Sequence, residues 1–230
     1  MAHFVLVHGG MIGGNCWDKL NAILQNKNHT VTAPTLTGLG EKNNLSHPRV
    51  DLETHIQDVL ETLPSSEPVI LVGHSYAGMV ITGVADRIPH QIHKLIYLAA
   101  VFPKAGESML DAVGFKIASH FTTNAQQGNG WEVTPGEPQA YGFTEAQDIE
   151  WFKTHSTPHP IKTFQQKLLI KNGTFDRNKT AYIHCTGDVT LEFMTSKAMS
   201  RGIECHFLEA THFPMITQPK QLAELLNAFT

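Results

Sequence analysis

The sequence predicts an α/β protein: about six mostly parallel strands with helices on both faces and one inserted segment. Three observations carry this. Short apolar runs rich in Val, Ile and Leu alternate with stretches whose apolar residues recur at helical spacing, along most of the 230 residues. The run Val69-Ile70-Leu71-Val72-Gly73 breaks at His74-Ser75-Tyr76 into a helix-spaced series, Ala77, Val80, Ile81, Val84, Ala85 and Ile88. Asp188 and His212 each follow the C-terminal end of a strand-like run, the edge where open parallel sheets place their sites.

Phe4 to Val7 read as a buried strand that enters the glycine-rich turn His8-Gly9-Gly10-Met11-Ile12-Gly13-Gly14. Those glycines lack dinucleotide-loop spacing, so phosphate cradling is not expected; exposed N–H groups of the turn suit an oxyanion instead. Cys16 to Asn26 form an amphipathic helix, His29 to Ala33 a second strand, and residues 35–50 a long polar loop at the rim of a site. Asp51 caps a helix carrying Ile56, Val59, Leu60 and Leu63, stopped by Pro64. The Ser75 unit follows, then a strand from Lys94 to Ala99.

Between Pro103 and Arg177 the alternation lapses. Glycines and prolines punctuate a segment rich in Phe, Trp and Tyr, among them Phe115, Phe121, Trp131, Tyr141 and Phe143. The expected division places residues 1–103 and 179–230 in one core and residues 104–178 in an insertion. A lid over a pocket is the favoured reading of the insertion, a small subdomain with its own core the other. Order returns with strands at Thr180–Cys185 and Glu204–Leu208, a helix between them from Leu191 to Ser200, and a last helix from Pro219 to Phe229.

Composition narrows the class. Hydrophobic residues are 41% and charged residues 17%, ordinary for a globular chain of one domain. A net charge of −4 offers no basic face to nucleic acid and no polybasic tether to a membrane, and no run approaches the ~20 apolar residues of a span. Met1-Ala2 leads straight into a strand, without the pattern of a secretory leader, and three cysteines read as free thiols. The expected location is cytoplasmic. The 14 histidines scatter without ligand spacing and most of them read as surface or packing residues, so neither metal nor cofactor is expected. A homodimer is compatible with all of this.

Strand, sharp turn and helix with serine at the apex form a nucleophile elbow. Such a turn lifts the serine oxygen clear of the sheet and points the next N–H, here of Tyr76, at a developing oxyanion. The small residue expected two positions after the serine is Ala77 rather than glycine, with Gly78 next, which predicts a slightly tight turn. Ser75, Asp188 and His212 stand in the order nucleophile, acid, histidine. His212 would take the serine proton, Asp188 would hold the imidazole, and the N–H groups of Gly10 and Tyr76 would bind the oxyanion.

The chain resembles the α/β-hydrolase superfamily, in the small-esterase branch of plant methyl-ester esterases, hydroxynitrile lyases and related bacterial esterases. The matching stretches are His8-Gly9-Gly10 with Gly14 and Trp17, Leu36 to Glu41, Thr54 to Val59, Gly73 to Tyr76, Tyr97 to Ala100, Cys185-Thr186 before Asp188, and the His212 segment. The Thr37 loop and the Thr54 helix are most similar to the bacterial esterases. The resemblance implies that the first two strands of the full superfamily sheet are absent. In its lyase relatives a hydroxyl side chain follows the first histidine and a lysine the catalytic one; Gly9 and Phe213 stand there, which disfavours cyanohydrin cleavage.

The expected function is therefore hydrolysis of small to medium apolar carboxylic esters through an acyl-enzyme, with a small-molecule ester as the partner. Gly9, Met11, Phe115, Phe121, Trp131 and Phe213 are the candidate pocket residues. A hydrolase-fold binder or receptor with slow turnover is the alternative.

Overall fold

The computed structural model of the protein describes residues 1–172, 176–188 and 190–230. Its strands are β1 (His3–Val7), β2 (Thr30–Thr32), β3 (Val69–His74), β4 (Ile92–Leu98), β5 (Glu132–Val133), β6 (His159–Pro160), β7 (Thr180–Cys185) and β8 (Glu204–Leu208). Six of them make one parallel sheet in the order β2-β1-β3-β4-β7-β8, the number the sequence predicts, while β5 and β6 form a separate antiparallel ribbon. The helices are α1 (Asp18–Asn26), α2 (Leu52–Leu60), α3 (Ala77–Arg87), α4 (Met109–Val113), α5 (Phe115–Gln127), α6 (Ala146–His155), α7 (Lys162–Gln165), α8 (Glu192–Ser200), α9 (Pro214–Thr217) and α10 (Pro219–Asn227).

Successive side chains of a strand point to opposite faces, and burial on both faces explains the continuous apolar runs. Val5, Val7, Val69, Leu71, Leu95 and Tyr97 join a core with residues of α2, α3 and α8. Phe4, Leu6, Ile70, Val72, Ile96 and Leu98 join the opposite core with residues of α1, α9 and α10. Asp51 begins α2 as expected, its carboxylate accepting the Thr54 N–H while Thr54 Oγ1 accepts the Asp51 N–H.

Between β4 and β7 the chain leaves the sheet for α4, α5, the β5–β6 ribbon, α6 and α7. Of the insertion expected at 104–178, residues 173–175 lie outside the described residues. Lys19 Nζ ties this segment to the core by reaching both Asp148 on α6, at 3.2 Å, and the Ile216 carbonyl on α9, at 3.1 Å.

The stretch 35–50 departs from the polar rim loop the sequence suggests. Leu36 and Leu39 are fully buried, and Gly40–Leu45 coil into 3₁₀ turns. The carbonyl of Thr37 accepts from His55 Nε2 at 2.9 Å, while its N–H and hydroxyl donate to Asp58. Two leucines spaced three apart on an irregular segment carry no periodic signal, so the burial was invisible to pattern alone.

Candidate active site

Three strand ends carry left-handed backbone at non-glycine residues: Met11 (φ 66°) beyond β1, Ser75 (φ 54°) after β3 and Ala99 (φ 42°) after β4. Such conformations cost about 1–3 kcal/mol each and persist where surroundings impose them. At Ser75 the surroundings are explicit: its N–H donates to the Leu98 carbonyl, and its own carbonyl accepts from Gly78 and Val101. A Cβ at Gly73 would meet the Ala77 carbonyl oxygen at 2.8 Å. At Gly78 a Cβ would lie 1.9 Å from the Val101 carbonyl oxygen. The second obligatory glycine of the elbow is thus Gly78, and the Ala77 methyl packs in the core without blocking the turn.

The acid and the histidine converge because β7 and β8 stay paired past their ends. Thr186 N–H donates to the Leu208 carbonyl and Gly187 N–H to that of Ala210, both at 2.9 Å. A Cβ at Gly187 would meet the Ala210 oxygen at 2.8 Å, so only glycine lets the two loops close. His212 Nδ1 then lies 2.6 Å from Asp188 Oδ2, and His212 Nε2 lies 3.0 Å from Ser75 Oγ. The carboxylate accepts a hydrogen bond from Nδ1–H, which leaves Nε2 as the acceptor facing the serine hydroxyl. Burial pushes the Asp188 carboxyl up, but the His212 hydrogen bond and charge and the Thr190 N–H outweigh it, so the acid sits below its ordinary range.

Ser75 is half-buried, whereas Asp188 and His212 are buried. The N–H groups of Gly10 and Tyr76 donate to no other described residue. They are available to an oxyanion. Among the described residues no cluster of three or more His, Cys, Asp or Glu is arranged to hold a metal ion. A cavity of about 340 Å³ opens elsewhere, between α3, β4 and the approach to β7, and no triad residue lines it.

The candidate pocket residues divide. Met11 is buried beyond Gly10, its sulfur meeting the Tyr141 hydroxyl at 3.7 Å. Phe121 is half-buried, its ring 5.2 Å from Phe164, which is itself 5.2 Å from Tyr76. Trp131 is half-buried on the approach to the β5–β6 ribbon. Three require correction. Phe115 is 89% exposed at the first position of α5, where it lines nothing. Gly9 lies beneath Ser75, since a Cβ there would meet Ser75 Cβ at 2.9 Å and His74 Nδ1 at 2.8 Å. Phe213 is core, its ring packed among His74, Phe143, Phe152 and Tyr141 behind the His212 loop.

The sequence matches the alpha/beta hydrolase family over residues 4–225. The chain is an alpha/beta hydrolase. The carbendazim hydrolyzing esterase of Nocardioides sp. (strain SG-4G) is 34% identical to it, over 99% of each chain. Methylesterase 10 of Arabidopsis thaliana is 29% identical, over 98% of this chain and 90% of its own. A solved extracellular alpha/beta-hydrolase from a Paenibacillus species superposes with a TM-score of 0.88 over 99% of this chain and 98% of that one; at 22% identity the likeness speaks for the fold.

Sequence reasoning missed how this hydrolase uses its histidines. Four that read as surface or packing residues are fully buried around the elbow. His74 donates from Nε2 to the carbonyl of His212 at 2.7 Å, anchoring the β8 loop across two intervening strands. His8 accepts the Leu36 N–H at Nε2 and donates from Nδ1 to the Gly9 carbonyl. His55 donates to Thr37, which leaves its Nδ1 to accept the Tyr76 hydroxyl at 3.0 Å. His159 accepts the Met11 N–H at 3.2 Å. Burial disfavours their charged forms, lowering His8 to about 4 and holding His55, His74 and His159 below the ordinary histidine range. The position of His74 inside the elbow and the bracketing of His159 by two prolines were the available signals.

Proposed function

We propose that the protein is a serine esterase of small and medium apolar esters, with methyl esters of flat aromatic acids and methyl carbamates of flat aromatic amines foremost among them. The chain is a carboxylic ester hydrolase, the activity that three of its curated relatives carry in their names. The finer reading is carried by one observation: His212 Nε2 stands 3.0 Å from Ser75 Oγ while Asp188 holds Nδ1 at 2.6 Å. Ser75 Oγ attacks the ester carbonyl as its proton passes to His212 Nε2, and the N–H groups of Gly10 and Tyr76 receive the oxyanion. His212 returns that proton to the departing alcohol, leaving an acyl group on Ser75. Water, activated by the same nitrogen, releases the acid.

The substrate class is supported by the names of the two relatives and by the aromatic side chains of residues 104–172, which serve as a lid. Cytoplasmic residence is the reading favoured by three free thiols. Treatment with a reactive organophosphonate, followed by peptide mapping, should place the adduct on Ser75, and Ser75→Ala should lower kcat by about 10⁴–10⁶ with the fold retained. Labelling elsewhere, or a fully active Ser75→Ala enzyme, overturns the nucleophile. A series of p-nitrophenyl esters beside methyl benzoates and carbendazim tests the substrate class. Activity that peaks at long acyl chains sinks it and leaves the triad standing.

A further inference from the structure

One side chain of the inserted segment touches both arms of the oxyanion site. His159 is fully buried. Pro158 and Pro160 flank it, and the residue before a proline is confined to extended backbone, so His159 is held in β6 opposite Val133. Its Nδ1 accepts the Met11 N–H at 3.2 Å. An amide can only donate, so the ring proton lies on Nε2, which donates to Thr163 Oγ1 at 2.7 Å; that hydroxyl donates in turn to the Pro160 carbonyl at 2.9 Å. The tautomer is thereby locked. The ring also meets Tyr76 edge-on at 5.0 Å, and a Cβ placed on Gly10 would lie 3.4 Å from Nδ1. Met11 is in the left-handed region and needs an external hold to stay there.

We propose that His159 is a positioning residue of the oxyanion hole: it pins the Met11 amide, thereby aiming the Gly10 N–H, and its ring backs Tyr76, the source of the second donor. This rests on the serine-esterase reading above. The inserted segment then tunes the chemistry as well as roofing the site, because the residue that sets the oxyanion donors belongs to it.

Three variants test this in the intact enzyme. His159→Phe keeps a ring and removes the acceptor, His159→Asn restores an acceptor oxygen near Nδ1, and Thr163→Val removes the lock on the tautomer. Each is assayed on p-nitrophenyl butyrate and for inhibition by a short alkyl trifluoromethyl ketone, which forms a tetrahedral adduct with a nucleophilic serine, and by butyrate. Losing a whole oxyanion donor costs about 10²–10³ in kcat, so misaiming one in His159→Phe should cost about 10–100-fold, with KM within about threefold. The ketone should weaken by the same factor and butyrate should not. His159→Asn should recover most of the loss, and Thr163→Val should fall between.

A folded His159→Phe enzyme with unchanged kcat, a loss carried by KM, or an Asn variant as impaired as Phe overturns the proposal. If His159→Phe does not fold, an unchanged kcat in Thr163→Val overturns it. Organophosphonate labelling of Ser75 keeps the two readings apart. With Ser75 labelled and the variants unaffected, only the positioning role fails; without labelling, the esterase mechanism fails.

Discussion

Helices α3 and α5 have similar lengths and opposite environments. Ten of the eleven residues of α3 are buried, including polar Thr82 and Asp86, whereas α5 buries only Ala125 among thirteen. The first follows Ser75 and is clamped by backbone: Gly78 has no room for a methyl group, and Thr82 Oγ1 lies 2.6 Å from the Gly78 carbonyl and 2.7 Å from the Tyr97 hydroxyl. The second lies in the insertion with Ile117, Ala118 and Phe121 only partly covered. Few buried contacts mean low local stability, so α5 opens at a smaller free-energy cost than α3. On the proposed mechanism, the attacking serine is built on the region that cannot yield, and the surface that meets the substrate is left on the region that can.

The sharpest way to separate these regions is to damage the chemistry without touching the packing. Asp188→Asn keeps size and burial but loses the charge that orients His212, and should lower kcat by about 10⁴ with an unchanged melting profile. An unaffected enzyme would remove Asp188 from the mechanism. Gly78→Val strikes the clamp itself. With a Cβ 1.9 Å from a backbone oxygen, it should destabilise the fold by about 3 kcal/mol or more, read by urea denaturation. A wild-type midpoint would show that the elbow gives way more easily than its contacts indicate.

Acid should unfold the rigid side. Folded His8 refuses a proton until about pH 4, while the unfolded chain accepts one near its ordinary 6.5. The unfolded state therefore binds more protons across that window, so stability is complete above about pH 6.5 and is lost as the pH falls towards 4. At ~1.4 kcal/mol per pH unit, His8 alone accounts for about 3 kcal/mol, with His55, His74 and His159 shifted in the same direction. Denaturant midpoints that do not change between pH 7 and 5 would contradict this. At the other extreme, Phe115→Ser should alter stability by less than about 0.5 kcal/mol, because an 89% exposed ring has little packing to lose. A larger drop would mean that α5 is better anchored than its exposure implies.

The same contrast governs what could be read from the residues alone. The central strands β1 and β3 were legible because burial on both faces writes itself as nearly unbroken runs of Val, Ile, Leu and Phe. The edge strands β2 and β8, only partly buried, were legible from the β–α alternation around them. Ser75, Asp188 and His212 were legible because their order and their placement after strands coincide. His74 and His159 were not, since each acts on backbone 138 and 148 residues away and nothing local to either marks the partner. Phe115 and Phe213 misled for opposite reasons. An aromatic in an irregular segment looks the same whether it faces a pocket or solvent, and one beside a catalytic histidine looks the same whether it lines the site or backs it.

The position of the inserted segment in the chain also governs when the molecule becomes active. Ser75 precedes His212 by 137 residues, and at translation rates of ~5–20 residues per second that is roughly 7–27 s of synthesis. Pairing β7 with β4 closes a loop of roughly eighty residues, at an entropic cost of ~4 kcal/mol. A nascent chain therefore displays its serine strand, then the whole inserted segment, and only last the loop that delivers the base. On the proposed mechanism the serine has no proton acceptor until the loop after β8 has been added, and the growing chain stays inert towards the esters around it.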